Sequence, residues 1–132
     1  MTTLIEQVMT CAICGHDTEV AIMGSTNQSG YPDLDLRPPE MARSTMWMWV
    51  HECPSCGYCA PSLEEAEPGA RVIVQSDAFT HFRAGLDDLK PLARAFRTGA
   101  FIAAERLRYD EALHHTLHEA WVHEDAGDAV RA

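Results

Sequence analysis

Lysine is almost missing from this sequence, since Lys90 is the only one in a chain of 132 residues. Ten Lys and Arg residues stand against twenty Asp and Glu residues, which gives a formal net charge of −10 at pH 7. Binding to nucleic acids or to anionic membranes through charge requires clustered basic residues, and no such cluster stands out. The composition therefore argues against nucleic acid and membranes as partners.

Long apolar runs and a targeting segment are missing as well. No stretch approaches the roughly 18 apolar residues of a membrane helix. The opening MTTLIEQVMT has neither the basic start nor the apolar run of a signal peptide. We therefore expect a cytoplasmic protein. Thiols stay reduced there, so the five cysteines are expected to be metal ligands or catalytic groups and not disulfides.

Cysteine and methionine are absent after Cys59, and this absence divides the chain into two regions. Residues 1–60 hold all the sulfur and, at 24–44, many turn-forming residues, which predict a long ordered loop. Strands are predicted at Thr18–Met23, where side chains alternate, and at Thr45–Glu52, which is rich in Trp, Met and Val. The predicted fold class is α+β, with a small β module at 1–60 followed by an α-helical region at 61–132.

Two helices are predicted early in the second region. Ser62 and Glu65 form a capping box, which predicts a short helix. A longer helix is predicted at Arg71–Ala84, ended by Gly85, although its RVIV segment is also compatible with a strand.

The remaining residues predict an antiparallel helical hairpin. Its first helix begins near Pro91, a residue favoured in the first helical turn. Its second helix follows a tight turn at Arg108 and Tyr109 and ends near Gly127. The predicted apolar faces are Leu92, Phe96, Ala100, Ala103 and Leu107 in the first helix, and Ala112, Leu113, Thr116, Leu117, Ala120 and Trp121 in the second.

The cysteines occur as two copies of one motif, Cys11-Ala-Ile-Cys14-Gly15 and Cys53-Pro-Ser-Cys56-Gly57. In a zinc knuckle two thiolates of a C-x-x-C turn bind one metal ion. The next residue often needs a positive φ, which glycine adopts without steric cost. Each pair also borders a predicted strand. The motifs therefore predict a small β zinc ribbon, in which two knuckles at hairpin tips hold one structural Zn2+ through Cys11, Cys14, Cys53 and Cys56.

Cys59 is left over from these two pairs. An iron–sulfur cluster on Cys53, Cys56 and Cys59 would need a fourth cysteine where this chain continues with Ala60-Pro61. A thioredoxin-type dithiol needs only one C-x-x-C. Cys59 is therefore predicted to be a spare, buried thiol beside a closed metal site.

Histidines also lie close to one another or to the cysteines. His16 and His51 adjoin the two pairs, but four thiolates already complete a structural site, so both are predicted to be neighbours and not ligands. His114, His115 and His118 lie on one side of the last helix. Their spacing can bind zinc, but no general base follows the first histidine as in H-E-x-x-H enzymes. A solvated helix face is the prediction there.

The loop centre DLDLRPPE places charged residues and prolines in one short segment. Its carboxylates are predicted to pair with Arg37 or Arg43 and hold the loop in place. Recognition of a partner is a second use of the segment, and acid–base catalysis is a third. The predicted recognition residues are Asp33, Asp35, Arg37, Pro38, Pro39 and Glu40.

The two cysteine motifs, together with PDLDLRPPE at 32–40 and CPSCGY at 53–58, resemble a group of bacterial zinc-ribbon proteins. Those proteins carry paired Cys-Pro-x-Cys-Gly knuckles, a polar loop with an Asp- and Pro-rich centre and, in some members, a helical-repeat tail. The first knuckle departs from that pattern at Ala12, where proline is usual. The resemblance implies a zinc-bound ribbon over residues 1–60 but no activity, since none is assigned to the family.

The last hairpin resembles a tetratricopeptide unit, because RYDEALHHTLHEAW at 108–121 is similar to the start of that repeat's second helix. Thr116 stands where the repeat has an aromatic residue. Such units need neighbours to cover their apolar faces. The ribbon, a second copy in a homodimer, or further repeats would each serve.

These features predict a protein-binding adaptor built from a zinc ribbon docked to a helical hairpin, with no catalytic activity. The partner is expected to be a protein, bound through the Asp/Pro loop and the helical surface. Two other classes stay open. A nucleic-acid-associated ribbon would bind with a steep salt dependence. A thiol- or metal-dependent enzyme would show an open metal site or a cysteine with a strongly lowered pKa.

Overall fold

The structure is a computed structural model that describes residues 3–25 and 30–127. Two small antiparallel sheets combine with helices, so the predicted α+β class is confirmed. None of the helices in these residues has the length and apolar character needed to span a lipid bilayer. The elements are β1 Thr3–Thr10, β2 Asp17–Ser25, a 3₁₀ helix Ala42–Met48, β3 His51–Glu52, β4 Cys59–Ala60, α1 Ala70–Val74, α2 Asp77–Ala84, α3 Pro91–Glu105 and α4 Tyr109–Asp125.

The first sheet is a long hairpin of β1 and β2 with Leu4 opposite Met23 and Val8 opposite Glu19. The strand predicted at Thr18–Met23 is confirmed as part of β2. β1 was not predicted from the sequence. The second sheet is a short hairpin of β3 and β4.

The strand predicted at Thr45–Glu52 is wrong except at its last two residues, because residues 45–48 belong to the 3₁₀ helix. Local hydrogen bonds favour the helix: the Thr45 hydroxyl donates to the Ala42 carbonyl at 2.6 Å, and Trp49 Nε1 donates to Thr45 Oγ1 at 2.9 Å. Ala42, Thr45 and Met48 are buried, and this spacing of three matches the turn of a 3₁₀ helix.

Two helix predictions before Pro91 also need correction. Residues 62–69 form turns and no helix, because the Tyr58 hydroxyl donates to the Glu65 carbonyl and thereby fixes an irregular backbone. The single helix predicted at Arg71–Ala84 is two helices, since Ser76 accepts a hydrogen bond from the Phe79 N–H and caps α2.

The helical hairpin is confirmed in its bounds, and Leu117 and Trp121 of the predicted α4 face pack in the core. The predicted faces are wrong at Leu107 of α3, which is 70% exposed, and at two residues of α4. Leu113 is 66% exposed and Thr116 is exposed. The rings of His115 and His118 instead lie against Phe96 of α3. The prediction of a solvated histidine face is therefore wrong for these two histidines.

Two hydrophobic clusters form the core, and each contains residues from both sides of position 60. The first joins Cys11 and Cys53 to helical residues such as Phe79 and Ile102. The second joins Met46, Val50 and Cys59 to Phe96 and Trp121. The cysteine pairs thus lie where the hairpins meet the helices.

Candidate metal centre

Both C-x-x-C-G motifs form the turn of a β-hairpin, the first between β1 and β2 and the second between β3 and β4. The two turns use the same backbone hydrogen bonds. Gly15 and Gly57 have φ values of 79° and 85°, which glycine adopts without steric cost. The shared bonds are Cys11 N–H to His16 O (2.9 Å) with Gly15 N–H to Cys11 O (2.8 Å), and Cys53 N–H to Tyr58 O (2.9 Å) with Gly57 N–H to Cys53 O (3.0 Å).

The four predicted ligand thiols converge between the two turns. The Sγ atoms of Cys11 and Cys56 are 3.7 Å apart, and those of Cys14 and Cys53 are 3.5 Å apart. All four sulfurs lie within 4.8 Å of one another and none is in a disulfide. Four thiolates about 2.3 Å from a tetrahedral ion would lie about 3.8 Å from each other. The donor set therefore fits one tetrahedral metal ion.

Backbone N–H groups point at each sulfur in a repeated pattern, two residues after each cysteine. The Ile13 N–H lies 3.4 Å from Cys11 Sγ. Backbone hydrogen bonds also reach the other three thiols, from His16 to Cys14, from Ser55 to Cys53 and from Tyr58 to Cys56. Such donors favour the thiolate, which is the form that binds metal.

The thiols differ in their solvent access and therefore in their proton affinity. Cys14 is exposed, and the backbone hydrogen bond from His16 lowers its pKa to about 6. Burial raises the pKa of the Cys53 and Cys56 thiols. Metal binding must then displace protons from these two buried sulfurs, so the affinity of the site depends on pH.

Contacts from the helical region hold the first knuckle. The Ala12 N–H donates to the Leu63 carbonyl at 2.8 Å. The Arg71 guanidinium donates to the carbonyls of Ile13 and Ala12 at 2.8 and 2.6 Å. The turn that carries Cys11 and Cys14 is thereby fixed to α1.

An ion cluster holds the second knuckle. Glu52, which precedes Cys53, accepts hydrogen bonds from Arg83 at 2.6 Å and from both the Nε and Nη2 of Arg94 at 2.9 and 2.7 Å. Arg83 lies over the turn, so that a Cβ at Gly57 would be 3.0 Å from its Nε. These arginines were not predicted as site residues, because only the fold brings α2 and α3 to the knuckle.

Cys59 lies outside the four-sulfur group and is buried. Burial raises the pKa of its thiol, and its Sγ lies 3.3 Å from the Gly57 carbonyl. A protonated, enclosed thiol is a poor nucleophile.

His16 and His51 are also outside the group, and within the described residues the four cysteines are the one set that could hold a metal ion.

The charged residues of the predicted recognition loop are engaged within the chain. Asp33 pairs with Arg43 at 2.7 Å, as predicted for one carboxylate, and Glu40 accepts a hydrogen bond from the Ser44 hydroxyl. Asp35 accepts from Trp121 Nε1 at 2.7 Å, and Arg37 pairs with Asp125 at 2.5 Å.

The rest of the loop divides into a buried part and an exposed part. Pro39 is buried and Pro38 is half-buried. Tyr31, Leu34 and Leu36 are 91%, 107% and 76% exposed. The recognition role of the loop remains a prediction.

Comparison of the chain with protein-family models, with curated proteins and with solved structures finds no match. The resemblance to zinc-ribbon proteins therefore rests on the quoted motifs alone.

Proposed function

We propose that this protein is a cytoplasmic protein-binding adaptor, stabilised by one structural Zn2+ and without catalytic activity. Zinc fits the four-thiolate donor set and its spacing, and such a site is closed because no ligand position is left for water or substrate. The low pKa of Cys14 is consistent with a ligand thiolate, since this sulfur lies among three others. The ribbon and the tetratricopeptide-like hairpin are part of this proposal.

One observation carries the adaptor role: the loop at 31–36 turns its apolar side chains outward while its charged groups fix it to the body. Asp35 and Arg37 bind Trp121 and Asp125 of α4, whereas Tyr31, Leu34 and Leu36 are largely exposed. A loop held in one conformation loses little entropy on binding. Exposed apolar residues on such a loop suit an apolar pocket of a partner protein.

The arginines argue against the nucleic-acid alternative. Every arginine in the described part of the chain already contacts a carboxylate or, for Arg71, two backbone carbonyls. Phosphate binding needs basic groups that are free to displace counterions.

The adaptor role is tested by affinity capture from the native host with the metal-loaded wild type and a Leu34→Ser/Leu36→Ser variant. We expect a stable protein partner with the wild type and its loss with the variant. Leu113→Ser, at an exposed site on α4, is the control and should retain the partner. Capture of nucleic acid alone, or no stable partner, would count against the proposal.

The metal is tested by native mass spectrometry with elemental analysis. We expect one zinc per chain and no alkylation of any thiol in the folded protein, since four cysteines bind metal and Cys59 is buried. All five thiols should react with the alkylating reagent once the protein is denatured in the presence of a chelator. Iron in place of zinc, or reaction of a ligand thiol in the folded protein, would contradict the structural zinc site.

A further inference from the structure

A shallow groove lies between β1 and the 3₁₀ helix, and its lining includes neither the four cysteines nor a residue of the 31–36 loop. Its walls are Leu4, Met41 and Trp47, which are 52%, 40% and 51% exposed, and its floor includes the buried Met48. Its volume is about 250 Å3, below the range of about 300–1,000 Å3 for ordinary small-molecule sites. The groove therefore suits one or two apolar side chains of a peptide better than a free ligand.

The groove continues onto one face of the β1–β2 hairpin. Side chains two apart on a strand share a face, so Leu4, Glu6 and Val8 lie in a row, opposite Met23, Ala21 and Glu19. Of these six residues, Leu4, Val8 and Met23 are exposed apolar side chains. The face is thus apolar with two carboxylates in it.

The unpaired charges on this surface are all negative. No Lys or Arg precedes Arg37 in the sequence, and Arg37 is buried against Asp125. Arg43, the next cation, pairs with Asp33. Glu6 and Glu19 form no ion pair within the described residues, and Glu40 lines the groove bound only to a neutral hydroxyl.

We propose that the groove binds a basic peptide segment of a partner protein, with an apolar side chain seated against Trp47 and Lys or Arg side chains beside Glu6, Glu19 and Glu40. Tryptophan is the residue type most often dominant in binding energy, and methionine adapts its shape to different apolar side chains. A second copy of this chain fits less well, since it would bring further carboxylates to the acidic face and like charges repel. Nucleic acids and anionic membranes meet the same repulsion.

This inference goes beyond the proposed function, because it adds a second binding surface to that of the 31–36 loop. Two surfaces on one small body would allow the protein to join two partners. The loop variants above leave the groove intact, and the groove variants below leave the loop intact, so the two ideas fail separately.

The test begins with selection from a random peptide library on the immobilised, metal-loaded chain. The selected peptides are then synthesised, and their affinities are measured by calorimetry for the wild type and variants. We expect sequences that combine an apolar anchor with several Lys or Arg residues. Trp47→Ala should weaken their binding by about tenfold or more, and Leu4→Ser, on the other wall, should also weaken it.

The contribution of the carboxylates is tested with Glu6→Gln and Glu19→Gln, each of which should weaken peptide binding by roughly two- to fivefold. Raising the salt concentration should also weaken peptide binding to the wild type. Leu113→Ala, at an exposed site on α4, is the matched control and should bind as the wild type does. Metal content and circular dichroism check that each variant is folded.

Four outcomes would overturn the proposal. These are selection of no peptide, selection of peptides without basic residues, binding that neither Trp47→Ala nor Leu4→Ser alters, and a dimer that Trp47→Ala converts to a monomer. The last outcome would assign the groove to a second copy of the chain.

Discussion

Gly15 and Gly57 occupy equivalent positions in the two knuckles, but their surroundings differ. Both have a positive φ, which costs a residue with a Cβ roughly 1–2 kcal/mol. A Cβ at Gly15 would meet nothing within 4 Å, whereas one at Gly57 would lie 3.0 Å from Arg83 Nε. The second glycine therefore makes room for the arginine that binds Glu52.

Replacing each glycine by alanine separates these two effects. In Gly15→Ala, only the cost of a positive φ should lower the free energy of unfolding, by about 1 kcal/mol. Gly57→Ala should lose about 1–2 kcal/mol more, because displacing Arg83 weakens a charged hydrogen bond to Glu52. Urea unfolding of both metal-loaded variants measures the difference. Equal losses would show that Arg83 does not depend on Gly57.

His118 is a histidine held neutral by its surroundings. Its ring lies 5.0–5.2 Å, centre to centre, from those of Trp49, Phe96 and Trp121, and burial lowers its pKa from 6.5 to about 4. The unfolded chain therefore binds this proton more readily between these two pH values. The resulting stability is fully present above pH 6.5 and is lost as the pH falls toward 4.

A His118→Gln variant should accordingly show a smaller loss of stability on acidification. Between pH 6.5 and 4.5 we expect the wild type to lose about 1–2 kcal/mol more than the variant, after allowing for solvent screening. Chemical unfolding at a series of pH values with excess zinc measures this, and comparison of the two proteins cancels the metal contribution. His81→Gln, at an exposed position on α2, should retain the wild-type dependence. Parallel curves for all three proteins would exclude His118 as the cause.

At the scale of elements, α3 and α4 meet closely at Gly99. A Cβ at this position would lie 3.0–3.1 Å from three atoms of the His115 ring. Leu113 and Thr116 were predicted in the contact face of α4 together with Leu117 and Trp121, but the structure leaves the first two exposed and places His115 against α3. The helical hairpin thus depends on a small residue opposite an imidazole, a pairing that apolar periodicity does not indicate.

Gly99→Ala should destabilise the protein by about 1–2 kcal/mol, because overpacking outweighs the better helix propensity of alanine. In a His115→Ala background the same change should be neutral or stabilising by up to about 1 kcal/mol, since only the propensity remains. Thermal and urea unfolding of the four proteins of this double-mutant cycle measure the coupling. A similar effect of Gly99→Ala in both backgrounds would exclude the ring contact.

Helices and strands were predictable where residues within the element determine its backbone conformation, and not where pairing with another segment of the chain determines it. Pro91 marks the start of α3 correctly, because its ring fixes its own φ, and Gly85 directly follows the end of α2. The Trp- and Met-rich segment before the second knuckle was predicted as a strand. Only two of its residues find a partner strand, and Thr45 closes a 3₁₀ helix in the rest.

For the whole molecule, the four-cysteine cluster lies where the two cysteine hairpins meet, and a bound metal ion would tie them to each other. Most residues of β1 are exposed, and the hairpin reaches the helices mainly near its tip, through Met9, Cys11 and Ile13. The helical hairpin belongs chiefly to the other cluster, through Phe96 and Trp121. Small modules with little core commonly depend on metal for folding.

Removal of the metal should therefore unfold the two cysteine hairpins and spare the helical hairpin. Hydrogen-exchange mass spectrometry after chelation is expected to show loss of protection at 3–22 and 51–60, with protection retained in α3 and α4. Zinc should restore the first set, and magnesium, which prefers oxygen ligands, is the control and should not. Uniform loss of protection across both helices would show that the metal holds the entire fold.

The four clustered cysteines and the glycines after them could be predicted from the sequence, because a C-x-x-C-G turn is a local unit. Each turn has two backbone hydrogen bonds and one positive φ value within a few residues of its cysteines, so neighbouring chain positions suffice to form it. The charged loop and the last helix could be located in the same way, but not their contacts. Asp35 reaches Trp121, and Arg37 reaches Asp125.

Those long-range contacts depend on how the helices pack, which no short pattern encodes. Packing places Arg83 and Arg94 around Glu52, turns His118 inward and leaves Trp47 in an open groove. The physical reason is that each cysteine turn is stabilised by its own backbone hydrogen bonds, whereas a buried charge or ring needs partners from other elements. Local residues thus indicate the metal chemistry, and the assembled fold sets the surfaces available for binding.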